Sequence, residues 1–347
     1  MVKIGVIGLG WMGNIHCKLA KEIEDCKLVA VCDLDPEKVN RAQKEYGVKG
    51  YSDYRKLLED PEVEAVYVVV PQKFHYQIVV DAIEASKHVL CEKPLALTQE
   101  EVNALREVVG SSDRKFIICF PARFAISSQE AKEIIESGAI GEVLYVRGNF
   151  RFTMKQHHEM HGEWVFDRKQ GGGLILEASV HLWDFVRWIT GKEVTRVLAV
   201  AHEHPVRDSV LEDNFAAVAY LDGRSIACID MSSSFPPNSA TDKRFEVIGS
   251  KGFIYIDEFR NYMTISSEIG VDANPGMLVK GLTHKDFMWH SHIAGGVRRL
   301  QEYFIKCIEK GLQPQPGVED GARACEITWA VMKSLESGKL EEVKYGG

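Results

Sequence analysis

Lys3-Ile4-Gly5-Val6-Ile7-Gly8-Leu9-Gly10-Trp11-Met12-Gly13 is an apolar run that ends in three spaced glycines, a G-x-G-x-x-G pattern. Alone the pattern is weak, and a glycine-rich turn that merely joins a strand to a helix competes with it. Its surroundings complete it. A strand is expected over Lys3–Ile7 and a helix over Asn14–Ile23, with Ile15, Leu19 and Ile23 on one face. Asp33 follows Gly13 by twenty positions, at the end of a second strand, Leu28–Cys32. That is the context a dinucleotide site requires. Gly8 permits the tight turn, Gly10 lets the backbone approach a pyrophosphate, and Gly13 allows helix and strand to pack closely. The helix N-terminus presents N–H groups to phosphate. Asp33 can accept hydrogen bonds from ribose hydroxyls and would repel a 2′-phosphate, and Leu34 beside it adds no cation. The reading favours NAD over NADP, with Trp11, Met12 and Leu34 also at the cofactor.

Outward from this motif, strand and helix signals alternate. A helix starts at Asp35 and Pro36 and ends at Gly47. A short strand lies near Val48–Tyr51, and Ser52 or Asp53 starts the next helix. Ala65–Val70 is apolar throughout, as a fully buried strand would be. A helix over Phe74–Ala85 leads to a strand at His88–Cys91. Thr98 and Glu101 form a capping-box pattern, and Lys115–Phe120 is the sixth strand. Buried strands alternating with helices make a parallel sheet covered on both faces.

Past Pro121 the pattern changes. Val143–Phe152 alternates, with Arg147, Asn149 and Arg151 on one face and Gly148, Phe150 and Phe152 on the other. Phe215–Leu221 and Ser225–Met231 flank the hairpin signal Asp222-Gly223. Phe245–Ile248 and Phe253–Asp257 flank Gly249–Gly252. Helices are expected near Ser128–Ser137, Leu174–Ile189, His292–Lys310 and Glu319–Ser337. The fold class is therefore α/β: an N-terminal Rossmann, doubly wound parallel sheet over residues 1–121, then a C-terminal α+β domain with a mostly antiparallel open sheet over residues 122–347. The second domain is expected to bind substrate and mediate oligomerisation.

A chain of 347 residues fits about two domains at ~150 residues each. Its 45% hydrophobic content supports a sizeable core. A net charge of −8 with no long basic run argues against nucleic acid or an anionic membrane as the main partner. The longest apolar run, Phe215–Leu221, is far short of the ~20 residues a membrane helix needs. The first residues read as a buried strand rather than a signal peptide, since glycine recurs and no small-residue cleavage site follows. Eight cysteines, none in C-x-x-C spacing and most in apolar stretches, are expected to be free thiols in a reduced, cytoplasmic chain.

Chemistry-bearing residues cluster after the strands. Pro71 ends the fourth strand at the carboxyl edge, where such sheets bind ligands, and His75 lies just beyond it. Cys91-Glu92-Lys93-Pro94 follows the fifth strand, placing Lys93 where it can reach a nicotinamide or a substrate oxygen. By itself, such a lysine is a common surface residue. Gly171-Gly172-Gly173 starts a helix carrying Glu177, His181 and Asp184. Glu177 and His181 are i and i+4 and share a face. A carboxylate there can fix a histidine's tautomer and raise its basicity, although a buried structural His–carboxylate pair fits as well. In His157-His158-Glu159-Met160-His161, His158 and His161 are three apart, which is not the zinc-helix spacing, and no metal is expected. His202 and His204 are read as a strand end, and His284, His290 and His292 as preceding a helix.

The N-terminal G-x-G-x-x-G, the Glu92-Lys93-Pro94 after the fifth strand and the Gly171-Gly172-Gly173…His181-x-x-Asp184 helix together resemble the Gfo/Idh/MocA oxidoreductase family. Further matches are Val66–Pro71 with His75, His88-Val89-Leu90, Ser137–Val143 and an Arg123-Phe124 pair near the domain junction. The resemblance covers nearly the whole chain. It implies an NAD-dependent dehydrogenase that oxidises a secondary alcohol of a sugar, polyol or cyclitol, assembled as a homodimer or homotetramer. His181 would be the general base, Lys93 would contact nicotinamide and the reacting hydroxyl, Glu177 would orient His181, and Glu92 would lie at the cofactor. Asp184 would hold substrate hydroxyls, and the stretch around Trp164, with the His157–His161 run just before it, would line the substrate side. Glu177 stands where many members have Asp, one methylene longer, and Ser179 where many have Gly. Two rivals share the fold: an NAD-retaining glycosidase without net redox, and a non-catalytic sugar- or dinucleotide-sensing regulator, which the presence of both Lys93 and His181 disfavours.

Overall fold

The structure, a computed structural model, describes residues 1–202, 214–260, 262–267, 280–281 and 289–346. Six parallel strands make the first sheet: β1 (Val2–Ile7), β2 (Cys26–Cys32), β3 (Lys49–Tyr51), β4 (Ala65–Val68), β5 (His88–Cys91) and β6 (Phe116–Ile118). The helices between them are α1 (Trp11–Glu22), α2 (Pro36–Tyr46), α3 (Tyr54–Leu58), α4 (His75–Glu84) and α5 (Gln99–Gly110). The strand order is β3-β2-β1-β4-β5-β6, so the winding reverses between β1 and β4. That switch point opens a crevice at the carboxyl ends of the strands.

Local sequence sets the boundaries. Asp35 accepts from Glu37 N at 2.9 Å, Pro36 takes the first helical position, and Gly47 closes α2 in the left-handed region. Thr98 caps α5 by accepting from Glu101 N, while Glu101 accepts from Leu97 N at 3.0 Å rather than from the cap residue itself. β4 is shorter than the apolar run that encodes it, because Val69 and Val70 leave the ladder to line the crevice.

The second part contains α6 (Ile126–Glu136), β7 (Val143–Arg151), α7 (Met154–His161), α8 (Arg168–Gly171), α9 (Gly173–Thr190), β8 (Val194–His202), β9 (Asn214–Leu221), β10 (Ile226–Ser232), β11 (Asp242–Gly249), β12 (Gly252–Asp257), β13 (Tyr262–Ser267), β14 (Lys280–Gly281), α10 (Trp289–Lys310), α11 (Val318–Ser337) and β15 (Glu341–Glu342). Its nine-stranded sheet runs β14-β13-β12-β11-β7-β10-β9-β8-β15, antiparallel except where β10 lies parallel to β7. The Asp222-Gly223 hairpin pairs Ile226 with Tyr220 as its turn signal predicts. Of the histidines noted above, His204 and His284 lie outside the described residues, while His290 and His292 fall within α10.

The two final long helices tie the halves together. Val297, Leu300, Phe304 and Ile305 of α10 pack in one core with Ile4, Val6, Tyr67 and Leu90 of the first sheet. On that sheet's other face, Ala322, Ala324 and Cys325 of α11 join Leu176 and Val180 of α9. Ile327 and Val331, farther along α11, belong to the core of the second sheet. All eight cysteines are free, seven of them buried.

One face of the nine-stranded sheet packs on helices and the other does not. The uncovered face was expected to be polar from Arg147, Asn149 and Arg151. Register instead places Phe253, Ile248, Tyr145, Ile226 and Tyr220 in one row across it, and Val218 beside Leu198 in the next. Charged and polar residues share that face: Arg147 and Asn149 on β7 lie beside Glu246 and Arg244 on β11, and Asn149 beside Asp230 on β10. None of the described helices is long and apolar enough to cross a membrane.

Candidate active site

The crevice at the switch point is one cleft of about 630 Å³ shared by both halves of the chain. On its first wall, Gly8 has φ +98, and a Cβ there would meet Val69 O at 2.0 Å. A Cβ on Gly13 would meet Gly8 O at 2.0 Å, so this helix and strand touch backbone to backbone. Gly10 has nothing within 4 Å of its missing Cβ: the space above it is open. Gly10 is also the N-cap of α1, which has no side-chain cap and no acidic residue in its first turn. An uncapped helix start beside open space suits phosphate. Asp33 is fixed at the same rim, accepting from Leu9 N at 2.7 Å and from Asp35 N at 2.9 Å. These residues fit a dinucleotide. Trp11, Met12, Leu34, Pro71 and Glu92 line the cleft with them. Lys38, which the sequence reading did not weigh, lies 3.9 Å from Asp33 Oδ2. It puts a cation beside the acid after all.

The second wall meets the first at Lys93. β5 ends at Cys91, and Glu92 N donates to Val68 O, which fixes the direction of the chain. Glu92 lies 3.0 Å from His16 Nε2, and His16 Nδ1 lies 2.9 Å from Gln301 Nε2 on α10. The amide as donor to Nδ1 leaves Nε2 as the donor to the carboxylate. Burial works against the charge on Glu92, but His16 and the nearby Lys93 hold it below the ordinary carboxylate range. Cys119 stands close enough to complete a three-ligand cluster with His16 and Glu92, but a direct hydrogen bond already joins the latter two.

Lys93 Nζ donates to the Glu177 carboxylate and, at 3.0 Å, to Glu177 O. The other carboxylate oxygen lies 3.0 Å from His157 Nε2. Glu177 is 2% exposed and His157 7%. Its two carboxylate oxygens thus face Lys93 and His157, and His181 stands four residues on along the same helix. His181 lines the same cleft, packed edge-on against Phe120 and Phe150 at 6.0 and 6.4 Å between ring centroids.

Two expected site residues lie elsewhere. Asp184, anticipated at the substrate, does not line the cleft; it takes a bidentate pair from Arg123 at 2.9 and 2.6 Å. Arg123 also donates to Asp320 at 2.7 Å, so Asp184 anchors α9 to the chain past β6 and to α11. One turn of helix separates it from the His181 face, which spacing along the sequence does not resolve. His75, anticipated at the cofactor, is fully buried with its ring nitrogens against Pro94 O at 2.8 Å and Val70 O at 2.9 Å. Burial holds its pKa below the usual histidine value. It braces the two loops that carry Pro71 and Lys93. Trp164 lines the cleft as expected.

Other residues also face the cleft. His157, in the histidine-rich run noted before Trp164, comes from α7. His158 turns away to Glu163 at 2.7 Å. Thr241, Lys243, Glu258 and Phe259 arrive from β11 and the end of β12. Only the pairing of β11 with β7, and of β12 with β11, brings them to the cleft, and no local signal marks it.

Residues 2–120 match a family model described as an oxidoreductase family with an NAD-binding Rossmann fold, and residues 128–255 match the GFO/IDH/MocA C-terminal domain. The chain belongs to the Gfo/Idh/MocA oxidoreductase family. It is 31% identical to myo-inositol 2-dehydrogenase of Thermotoga maritima, over 99% of both chains. It is 30% identical to the NAD(+)-dependent scyllo-inositol 2-dehydrogenase of Bacillus subtilis, over 97% of this chain and 95% of that one. Among solved structures, scyllo-inositol dehydrogenase from Lactobacillus casei, with NAD(H) and scyllo-inositol bound, superposes with a TM-score of 0.83 at 26% identity over 99% of each chain. Levoglucosan dehydrogenase shares the fold with a TM-score of 0.88 at 22% identity, over 99% of each chain.

We propose that Asp33, with Lys38 beside it, sets the cofactor preference. Replacing Asp33 with Ser removes the acceptor for ribose hydroxyls and releases Lys38. The ratio of NADPH to NADH dissociation constants, read by nicotinamide fluorescence, should fall about 10- to 100-fold, the worth of hydrogen bonds to a charged group. An unchanged ratio would show that Asp33 does not read the ribose.

Proposed function

We propose that this protein is an NAD-dependent dehydrogenase that oxidises a secondary alcohol of a cyclitol, sugar or related polyol to a ketone. The observation that carries the reading is the meeting of Lys93, Glu177 and His181 in the cleft that also contains the Gly8–Gly13 turn and Asp33. Two of the named relatives are inositol dehydrogenases, which supports an alcohol on a polyhydroxylated ring.

NAD, when bound, supplies the hydride acceptor. The chain supplies the rest. His181 takes the hydroxyl proton of the substrate. Lys93 holds the same oxygen and stabilises its developing negative charge. Glu177 keeps the Lys93 ammonium at the cleft wall, and His157 fixes Glu177. Phe150 and Phe152 keep that wall apolar, with Phe120 packed against His181, which strengthens each charged contact. Holding alcohol and acceptor together contributes through orientation, and a positioned base adds roughly 10²–10⁴-fold.

The chain's second sheet also supports self-association. We propose a cytoplasmic homodimer or homotetramer built on the uncovered face. Val200 is 68% exposed there, Phe253 47% and Val218 44%. Exposed apolar residues on one continuous sheet face mark an interface, and a second copy offers the same face about a two-fold axis.

Three measurements test these readings. His181→Ala and Lys93→Ala should each lower kcat for myo-inositol by about 10²–10⁴-fold while NADH still binds; near wild-type rates in both would sink the assignment. Reduced nicotinamide should accumulate in step with ketone, whereas a glycosidase on this fold would show none. Sedimentation at micromolar concentration should give a dimer or tetramer, and a monomer would contradict the proposed interface.

A further inference from the structure

The chemistry above uses Lys93, Glu177 and His181, and leaves a second charged pair in the same cleft without a role. Lys243 on β11 and Glu258 just past β12 form an ion pair, Nζ to Oε2 at 2.8 Å. They are 4% and 1% exposed, yet both line the cleft. Glu258 N donates to Lys243 O at 3.1 Å, which fixes the two backbones against each other. Lys243 Nζ stands 5.3 Å from the centroid of the Phe150 ring, and that ring packs edge-on against His181. The pair is therefore one aromatic ring away from the proposed base.

Burying two charges carries a desolvation cost that their mutual attraction does no more than offset, and apolar residues of similar size often serve stability as well or better. The surrounding wall, Phe150, Phe152 and Phe259, is apolar. A charged pair kept on such a wall and turned to a cavity is better explained by a ligand than by folding.

We infer that Lys243 and Glu258 form the substrate-recognition pair of the cleft, gripping two adjacent hydroxyls on the side of the ring remote from the carbon oxidised. The ammonium donates to one hydroxyl oxygen, and the carboxylate accepts from the neighbouring hydroxyl. The 2.8 Å spacing of the two protein atoms matches that of the oxygens of a vicinal diol, so one ring edge meets donor and acceptor together. The inference rests on the dehydrogenase reading above. It also states the charge of the substrate. Lys93 is matched by Glu177, and Lys243 by Glu258, so among the described residues this wall offers paired cations and suits a neutral polyol rather than a sugar acid.

The experiment is steady-state kinetics of the full-length enzyme with NAD and four probes: myo-inositol, its monodeoxy analogues, glucose and glucuronate. The wild type should prefer the neutral polyols to glucuronate, and should penalise the monodeoxy analogue that lacks a gripped hydroxyl. Lys243→Met should raise KM for the best polyol about 10- to 100-fold, with a smaller change in kcat. Because that variant leaves Glu258 buried without its cation, the double variant Lys243→Met/Glu258→Leu is made alongside it, with NADH binding as the check of folding. The double variant should turn over parent and deoxy analogue almost equally. A wild-type preference for glucuronate would overturn the inference. So would a double variant that binds NADH and keeps both wild-type kcat/KM and wild-type discrimination. A wild type that binds NADH and oxidises none of the probes would overturn the dehydrogenase reading, and this inference with it.

Discussion

Everything at the active site turns on one ion pair, Lys93 with Glu177. Lys93 belongs to the carboxyl edge of the parallel sheet, and Glu177 to the first turns of a helix in the other half of the chain. Their side chains are only 12% and 3% exposed, and breaking a buried pair by removing one partner is strongly destabilising. The pair joins the two halves at the point where cofactor and substrate must meet. Behind Lys93, the Gln301–His16–Glu92 chain of hydrogen bonds fixes the strand end, and His75 braces the loop beyond it. Behind Glu177, His157 holds the second carboxylate oxygen, and Arg123 pins the same helix through Asp184. A charge held this firmly needs little rearrangement as the reaction proceeds, which is how preorganised sites lower a barrier.

Much of this frame was legible in the sequence, and for a physical reason. The glycine turn, the Asp35-Pro36 start, the Gly47 stop and the Asp222-Gly223 hairpin act within a few residues. Residue type alone carries such signals. The second layer was not legible. The return of α10 and α11 over the first sheet, the approach of His157 to Glu177 and the arrival of Lys243 and Glu258 are contacts between distant segments. Nothing near Lys243 in the sequence marks it as lining a cleft. Asp184 shows the same limit from the other side. Three residues past His181 was close enough to imply a shared site, yet the helix turns that side chain into the Arg123 network.

Glu177 is where sequence and structure inform each other most. The extra methylene relative to the aspartate of many relatives stood out as a departure, and its consequence was open. The structure shows both carboxylate oxygens engaged, one by Lys93 and one by His157. That geometry ties the acid to Lys93, the residue proposed to hold the substrate oxygen. His181, four residues on, packs edge-on against the rings of Phe120 and Phe150.

The central claim is that Glu177 acts through Lys93, and a pair of double-mutant cycles on kcat/KM for myo-inositol tests it most directly. One cycle combines Glu177→Gln with Lys93→Met, and the other combines Glu177→Gln with His181→Ala. The account predicts strong non-additivity in the first cycle, the double variant little worse than Lys93→Met alone, and near-additive losses in the second. Additive losses with Lys93 and strong coupling with His181 would contradict it.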